Sequence, residues 1–85
     1  MLDRTDIAAA VAHLVHRLLA KRGVERTLGR DEDLTSAGLS SLDIVNLMLS
    51  VEAEFDLKIP EREMTPTNFR SVARIEALVR GLRQE

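Results

Sequence analysis

The 85-residue chain contains no cysteine. No disulfide can staple it, no thiolate can bind zinc, and any thiol chemistry must be brought by something attached to the chain. No apolar run reaches the roughly 20 residues of a membrane-spanning helix, and the opening MLDRTDIA carries acids where a secretory signal would carry basic residues ahead of an apolar stretch. A cytoplasmic protein without membrane attachment is therefore the expectation. The alternating pattern that strands need is almost missing, and there is no internal repeat or low-complexity segment. A chain of this length has room for a single domain, residues 1–85, and none for a cleft that could enclose a substrate.

What is present is an uneven charge. The net value is only -2. Residues 1–30 nevertheless carry six basic and three acidic groups, a net +3, and residues 31–64 carry two basic and nine acidic groups, a net -7. Residues 65–85 carry four basic and two acidic groups, a net +2. An acidic middle repels nucleic acid and anionic membranes and fits a basic protein partner, although a solvated acidic loop gives the same count.

Helical periodicity accounts for most of the chain. Ile7, Val11, Leu14, Val15, Leu18 and Leu19 share one face of a first helix, with Asp3 or Asp6 available as its cap and Gly23 as its stop. His13 and His16 are spaced as metal ligands can be, but they lie off that apolar stripe with no third ligand nearby, so a solvated face is expected. Residues 23–40 form a long loop pinned by Val24, Leu28, Leu34 and Leu39. Within it, Asp31, Glu32 and Asp33 lack the spacing of a calcium loop and fit a short helical cap or plain solvation better. Pro60 marks a break, Thr65 and Pro66 open a short third helix through about Phe69, and Ser71 starts a last helix whose apolar face is Val72, Ile75, Leu78, Val79 and Leu82. The expected fold is all-α: a four-helix bundle with three longer helices, one short third helix and a long loop between helices 1 and 2.

The second helix has two apolar faces. Ser40 is its N-cap, and Asp43 can reach back to complete a capping box, so Ser41 falls at the first helical position beside solvent. At 100° per residue, Ile44, Leu47, Met48, Val51 and Phe55 form a core stripe, while Leu42, Val45, Leu49 and Ala53 form a second stripe with Glu52 between the two. So small a bundle cannot readily bury both. The second stripe meets either another helix of the domain or a partner.

The stretch GLSSLDIVNLMLSVEAEFDLKIP, with the first helix, the loop and the segment EDLTSAGLSSLD ahead of it, resembles acyl carrier proteins. Their signature is G-x-D-S-L followed by an apolar and acidic helix and then I-P. The resemblance spans nearly the whole chain and implies that Ser41 carries a 4′-phosphopantetheine arm, whose thiol holds an acyl or aminoacyl group as a thioester. It implies a phosphopantetheinyl transferase that installs the arm from coenzyme A, an acyl-activating or aminoacyl ligase that charges it, and downstream enzymes that use the cargo. It implies a monomer that is not itself an enzyme. Leu42, Asp43, Val45, Leu49 and Glu52 match partner-docking positions, and Leu47, Val51, Phe55 and Ile59 match the core. Two departures, Ser40 where the family usually has Asp and Asn46 where an acid is common, point to a specialised carrier, for secondary metabolism, lipid tailoring or an aminoacyl group.

The sequence raises three other readings. A DNA-binding recognition helix is disfavoured because no Lys or Arg lies between Ser41 and Asp56. A serine hydrolase would need a base near Ser41, and both histidines sit on the far face of the first helix. A pure interaction module with Ser41 unmodified is separated from a carrier by whether an adduct forms at that serine.

Overall fold

The structure is a computed structural model that describes residues 4–83, with side chains from Ile7 onward. Helices α1 (Arg4–Lys21), α2 (Leu34–Ala37), α3 (Ser41–Phe55) and α4 (Val72–Arg83) are joined by loops, and a 3₁₀ helix spans Glu61–Glu63. There is no strand among the described residues, as expected for an all-α fold. Asp3 lies outside the described residues, and Asp6 is already inside α1 rather than ahead of it.

α1 is the shared wall. It packs against both α3 and α4. Ile7, Val11, Leu14, Val15 and Leu19 are buried along one of its faces, against Leu47, Val51 and Phe55 of α3 and Ile75 and Val79 of α4 in one continuous cluster. Each such side chain removed from water contributes roughly 1.5–3 kcal/mol before ordering costs. His13 is exposed, as the pattern predicts, whereas His16 is half-buried beside Val24 and Arg26 of the following loop.

The end of α1 follows from Gly23, whose φ of +80° is left-handed. The Val24 N–H donates to the Leu19 carbonyl at 2.9 Å and the Gly23 N–H to the Ala20 carbonyl at 3.0 Å, the two bonds that close a Schellman motif. The chain then runs to Ser40 as a loop tied down at several points. Leu34 and Leu39 are buried and Val24 and Leu28 half-buried, so all four anticipated plugs point inward. Arg26 pairs with Glu32, which also accepts from the Gly29 N–H at 3.1 Å. Asp33 accepts from the amides of Thr35 at 2.9 Å and Ser36 at 3.2 Å and so caps α2, the one-turn helix that interrupts the loop.

The short helix thus lies before the second long helix, not after it. At the expected site, Thr65 Oγ1 does accept from the Asn68 N–H at 3.2 Å, and Pro66 opens a turn closed by the Phe69 N–H at 3.2 Å. The turn does not propagate, because the Arg70 carbonyl is taken by the Leu34 N–H at 2.9 Å and Phe69 is drawn into the core. The 3₁₀ helix forms just upstream, and α4 restarts at Val72 with Ser71 Oγ accepting from the Arg74 N–H at 3.2 Å. Glu76, a buried acid that the periodicity gave no reason to single out, binds Arg30 of the loop and Arg80 of α4.

Candidate functional site

The start of α3 is built by a reciprocal pair of hydrogen bonds. Ser40 adopts extended backbone, its Oγ accepts from the Asp43 N–H at 3.1 Å, and Asp43 Oδ2 accepts from the Ser40 N–H at 2.9 Å. The capping box read from the sequence is therefore formed. A third partner was not anticipated. Arg22, which stands between the last residue of α1 and Gly23, reaches Asp43 with both arms of its guanidinium, Nε to Oδ2 at 2.9 Å and Nη2 to Oδ1 at 2.8 Å. Asp43 is only 6% exposed. The hydrogen bonds from Arg22 first, and then from the Ser40 amide, hold its carboxyl well below the usual range, at about 2.

Ser41 stands one residue past the cap, exposed, and its hydroxyl has no hydrogen-bond partner among the described residues. Ser40 is committed to the cap, so the two adjacent serines have different tasks. The box satisfies the Asp43 amide, the Ile44 amide bonds the Ser40 carbonyl at 3.0 Å, and the amides of Ser41 and Leu42 are left at the open helix end. A phosphodiester esterified to the Ser41 oxygen would meet those donors and the positive end of the helix dipole. The nearest acid on the helix, Asp43, is already neutralised by Arg22, which removes the like charge that would oppose a phosphate there. Beside Ser41 lies an open groove of about 420 Å³, lined by Ile44, Val45 and Met48 of α3 and by Met64, Pro66 and Phe69 of the segment that crosses it.

The two faces of α3 separate as their angles require. Ile44, Leu47, Met48, Val51 and Phe55 are buried, and Leu42, Val45 and Leu49 are 66%, 48% and 55% exposed. No other helix of the described residues covers that second stripe. Two residues grouped with it by sequence use their carboxylates inside the molecule: Asp43 as above, and Glu52, whose Oε2 accepts from the Ile59 N–H at 2.8 Å and holds the chain as it leaves α3. Arg22 is the site residue that sequence reasoning missed. Its only local signal is a basic residue one position past the end of α1, which fits the helix dipole equally well.

With this geometry in place, the family described as "Phosphopantetheine attachment site" matches residues 9–79. The chain belongs to that family. The carrier is 43% identical over 75 residues to aminoacyl carrier protein 1 of Bradyrhizobium diazoefficiens, an alignment covering 88% of this chain and 83% of the relative. It is 42% identical over 74 residues to aminoacyl carrier protein 2 of the same organism, covering 87% and 83%. Among solved structures it is similar to the cognate carrier protein in complex with Bradyrhizobium japonicum glycine:[carrier protein] ligase and an analogue of glycyl adenylate, with a TM-score of 0.78, 37% identity and coverage of 88% of this chain and 96% of that one. A second complex, of the same ligase with glycylated carrier protein, matches with a TM-score of 0.76 at 38% identity. The carrier's prosthetic group is a covalently attached 4′-phosphopantetheine, and its thiol supplies the chemistry that the cysteine-free chain lacks. No helix of the described residues is long and apolar enough to cross a membrane.

Proposed function

We propose that the chain holds an aminoacyl group as a thioester on a 4′-phosphopantetheine arm attached to Ser41 and presents it to partner enzymes in the cytoplasm, performing no chemistry of its own. One observation carries the assignment of Ser41: a hydroxyl exposed at the first position of a helix, free of internal hydrogen bonds, directly beside an uncovered apolar stripe. An enzyme that reaches that oxygen must cover the stripe. Leu42, Val45 and Leu49 make the contact, and Asp43 and Glu52 shape the face from behind by fixing the two ends of α3. The aminoacyl nature of the cargo is supported by the names of the relatives, and a ligase of the kind seen bound to the structural neighbours is the expected charging enzyme. A phosphopantetheinyl transferase acts before it, and enzymes that accept the aminoacyl group act after it.

The chain's own residues have three tasks. Ser40 and Asp43 cap the helix one residue before Ser41, Arg22 keeps Asp43 charged but neutralised, and the first-turn amides would meet the phosphodiester. Incubation with coenzyme A and a broad-specificity transferase, followed by intact-mass measurement, tests the attachment. One phosphopantetheine adduct is expected on the wild type and none on Ser41→Ala. An adduct that survives Ser41→Ala would move the site elsewhere.

A further inference from the structure

Building on the carrier reading, we propose that Arg22 is a specificity-determining residue: by neutralising Asp43 it leaves α3 with an apolar docking patch that a phosphopantetheinyl transferase covers with apolar side chains, not with a cluster of lysines and arginines.

The acidic middle of the sequence pointed to a basic partner, and the folded arrangement of those acids alters that expectation. Asp43 is held by both arms of Arg22, and Glu52 accepts from the Ile59 amide. Glu32 is paired with Arg26, and Asp33 caps α2 and lies 3.4 Å from Arg70. Three of the nine acids of that stretch are thus paired with arginines from outside it. On α3 the remaining acid is Glu54, which at 100° per residue points about 140° away from the direction of Leu49. Across the arc that holds Leu42, Val45 and Leu49, the polar residues are Asn46, which is neutral, and Glu52, which is engaged.

Arg22 also acts against basic partners directly. Its side chain is 48% exposed, so a lysine or arginine approaching Asp43 would meet a fixed positive charge and would have to displace a bidentate pair. An apolar surface meets neither obstacle and covers three large side chains that water would otherwise face. Charge complementarity at this face therefore favours a partner with little charge.

The test is the rate of loading of Ser41 by coenzyme A and a broad-specificity phosphopantetheinyl transferase, read by intact mass at limiting carrier concentration. Sodium chloride is raised from about 50 to about 500 mM, which shortens the screening length from more than 10 Å to below about 5 Å. Wild-type kcat/KM is expected to change by less than about twofold across that range. Leu49→Asp should lower it by roughly tenfold or more with the helical circular dichroism unchanged. Arg22→Gln leaves the Asp43 carboxylate unpaired beneath an apolar partner and should lower kcat/KM by at least about threefold at every salt concentration, and Arg22→Gln combined with Asp43→Asn should recover most of that loss, which loss of stability alone would not do. A steep decline in the wild type, or a folded Arg22→Gln that is loaded as fast as the wild type, overturns the proposal. Should Arg22→Gln fail to fold, the wild-type salt profile and Leu49→Asp decide between support and rejection. Concentration-dependent dimerisation in sedimentation, abolished by Leu49→Asp, would give the patch to a second copy of this chain and also overturns it. Absence of any adduct on the wild type at every salt concentration would instead bring down the carrier reading itself.

Discussion

At Asp43 one carboxylate accepts from the Ser40 amide, pairs with both arms of Arg22 and thereby joins the start of α3 to the end of α1. The ionised form makes these bonds, which is why its pKa drops to about 2 from an ordinary value near 4. A carboxylate whose pKa is lowered by folding stabilises the folded state in full above its unfolded pKa, and less as protonation, which the unfolded chain accepts more readily, sets in. Its contribution is therefore complete above about pH 4 and is lost as the pH falls toward about 2. Glu32 and Asp33 are lowered too, by Arg26 and by Thr35 respectively, and act in the same direction. Urea midpoints measured between pH 7 and pH 2 should fall across the lower part of that range. Asp43→Asn should start from a lower midpoint at pH 7 and show a shallower acid slope, the residue of it coming from Glu32 and Asp33. At this scale the capping box was legible because its two members are three residues apart. Arg22 was not, because it lies 21 positions from Asp43 and only the fold brings the two together.

Among the elements, the boundaries that local conformation dictates were the readable ones. Gly23 reads as a stop because glycine commonly ends helices, and its φ of +80° supplies the left-handed residue that the Schellman motif needs. A Cβ there would touch nothing within 4 Å, so the cost of Gly23→Ala is backbone strain alone, about 1–2 kcal/mol. Chemical denaturation should show that loss with the helical signal of the native state retained. α3 ends differently, with Asp56 itself in the left-handed region at φ 51° and the Leu57 amide closing onto the Glu52 carbonyl. The misplaced short helix marks where local signals were insufficient. Thr65 and Pro66 do begin a turn, but whether it continues depends on the Arg70 carbonyl, which a residue 36 positions earlier claims. Asp33 likewise began α2 from within a run that sequence could read equally as solvated charge.

For the whole molecule, the decisive division is between the stripe of α3 that makes the core and the stripe that faces outward. Leu47 and Leu49 are two residues apart, and a step of about 200° puts them on different sides. Leu47 is fully buried and Leu49 is 55% exposed. The periodicity located both stripes from sequence and named the core one, because α3 is long enough for the angles to resolve, but it could not say whether another helix covered the second until α1 was seen to pack on the first. The same leucine-to-alanine change then separates folding from docking. Leu47→Ala leaves a cavity in a small core and should cost about 2–5 kcal/mol, a large part of the 5–15 kcal/mol typical of a whole domain. Leu49→Ala should stay within about 0.5 kcal/mol, since little apolar contact is lost from the folded state. Urea titrations followed by circular dichroism measure both, and equal losses at the two positions would mean that the outward stripe is covered in the isolated protein, leaving no open face through which a partner could approach Ser41.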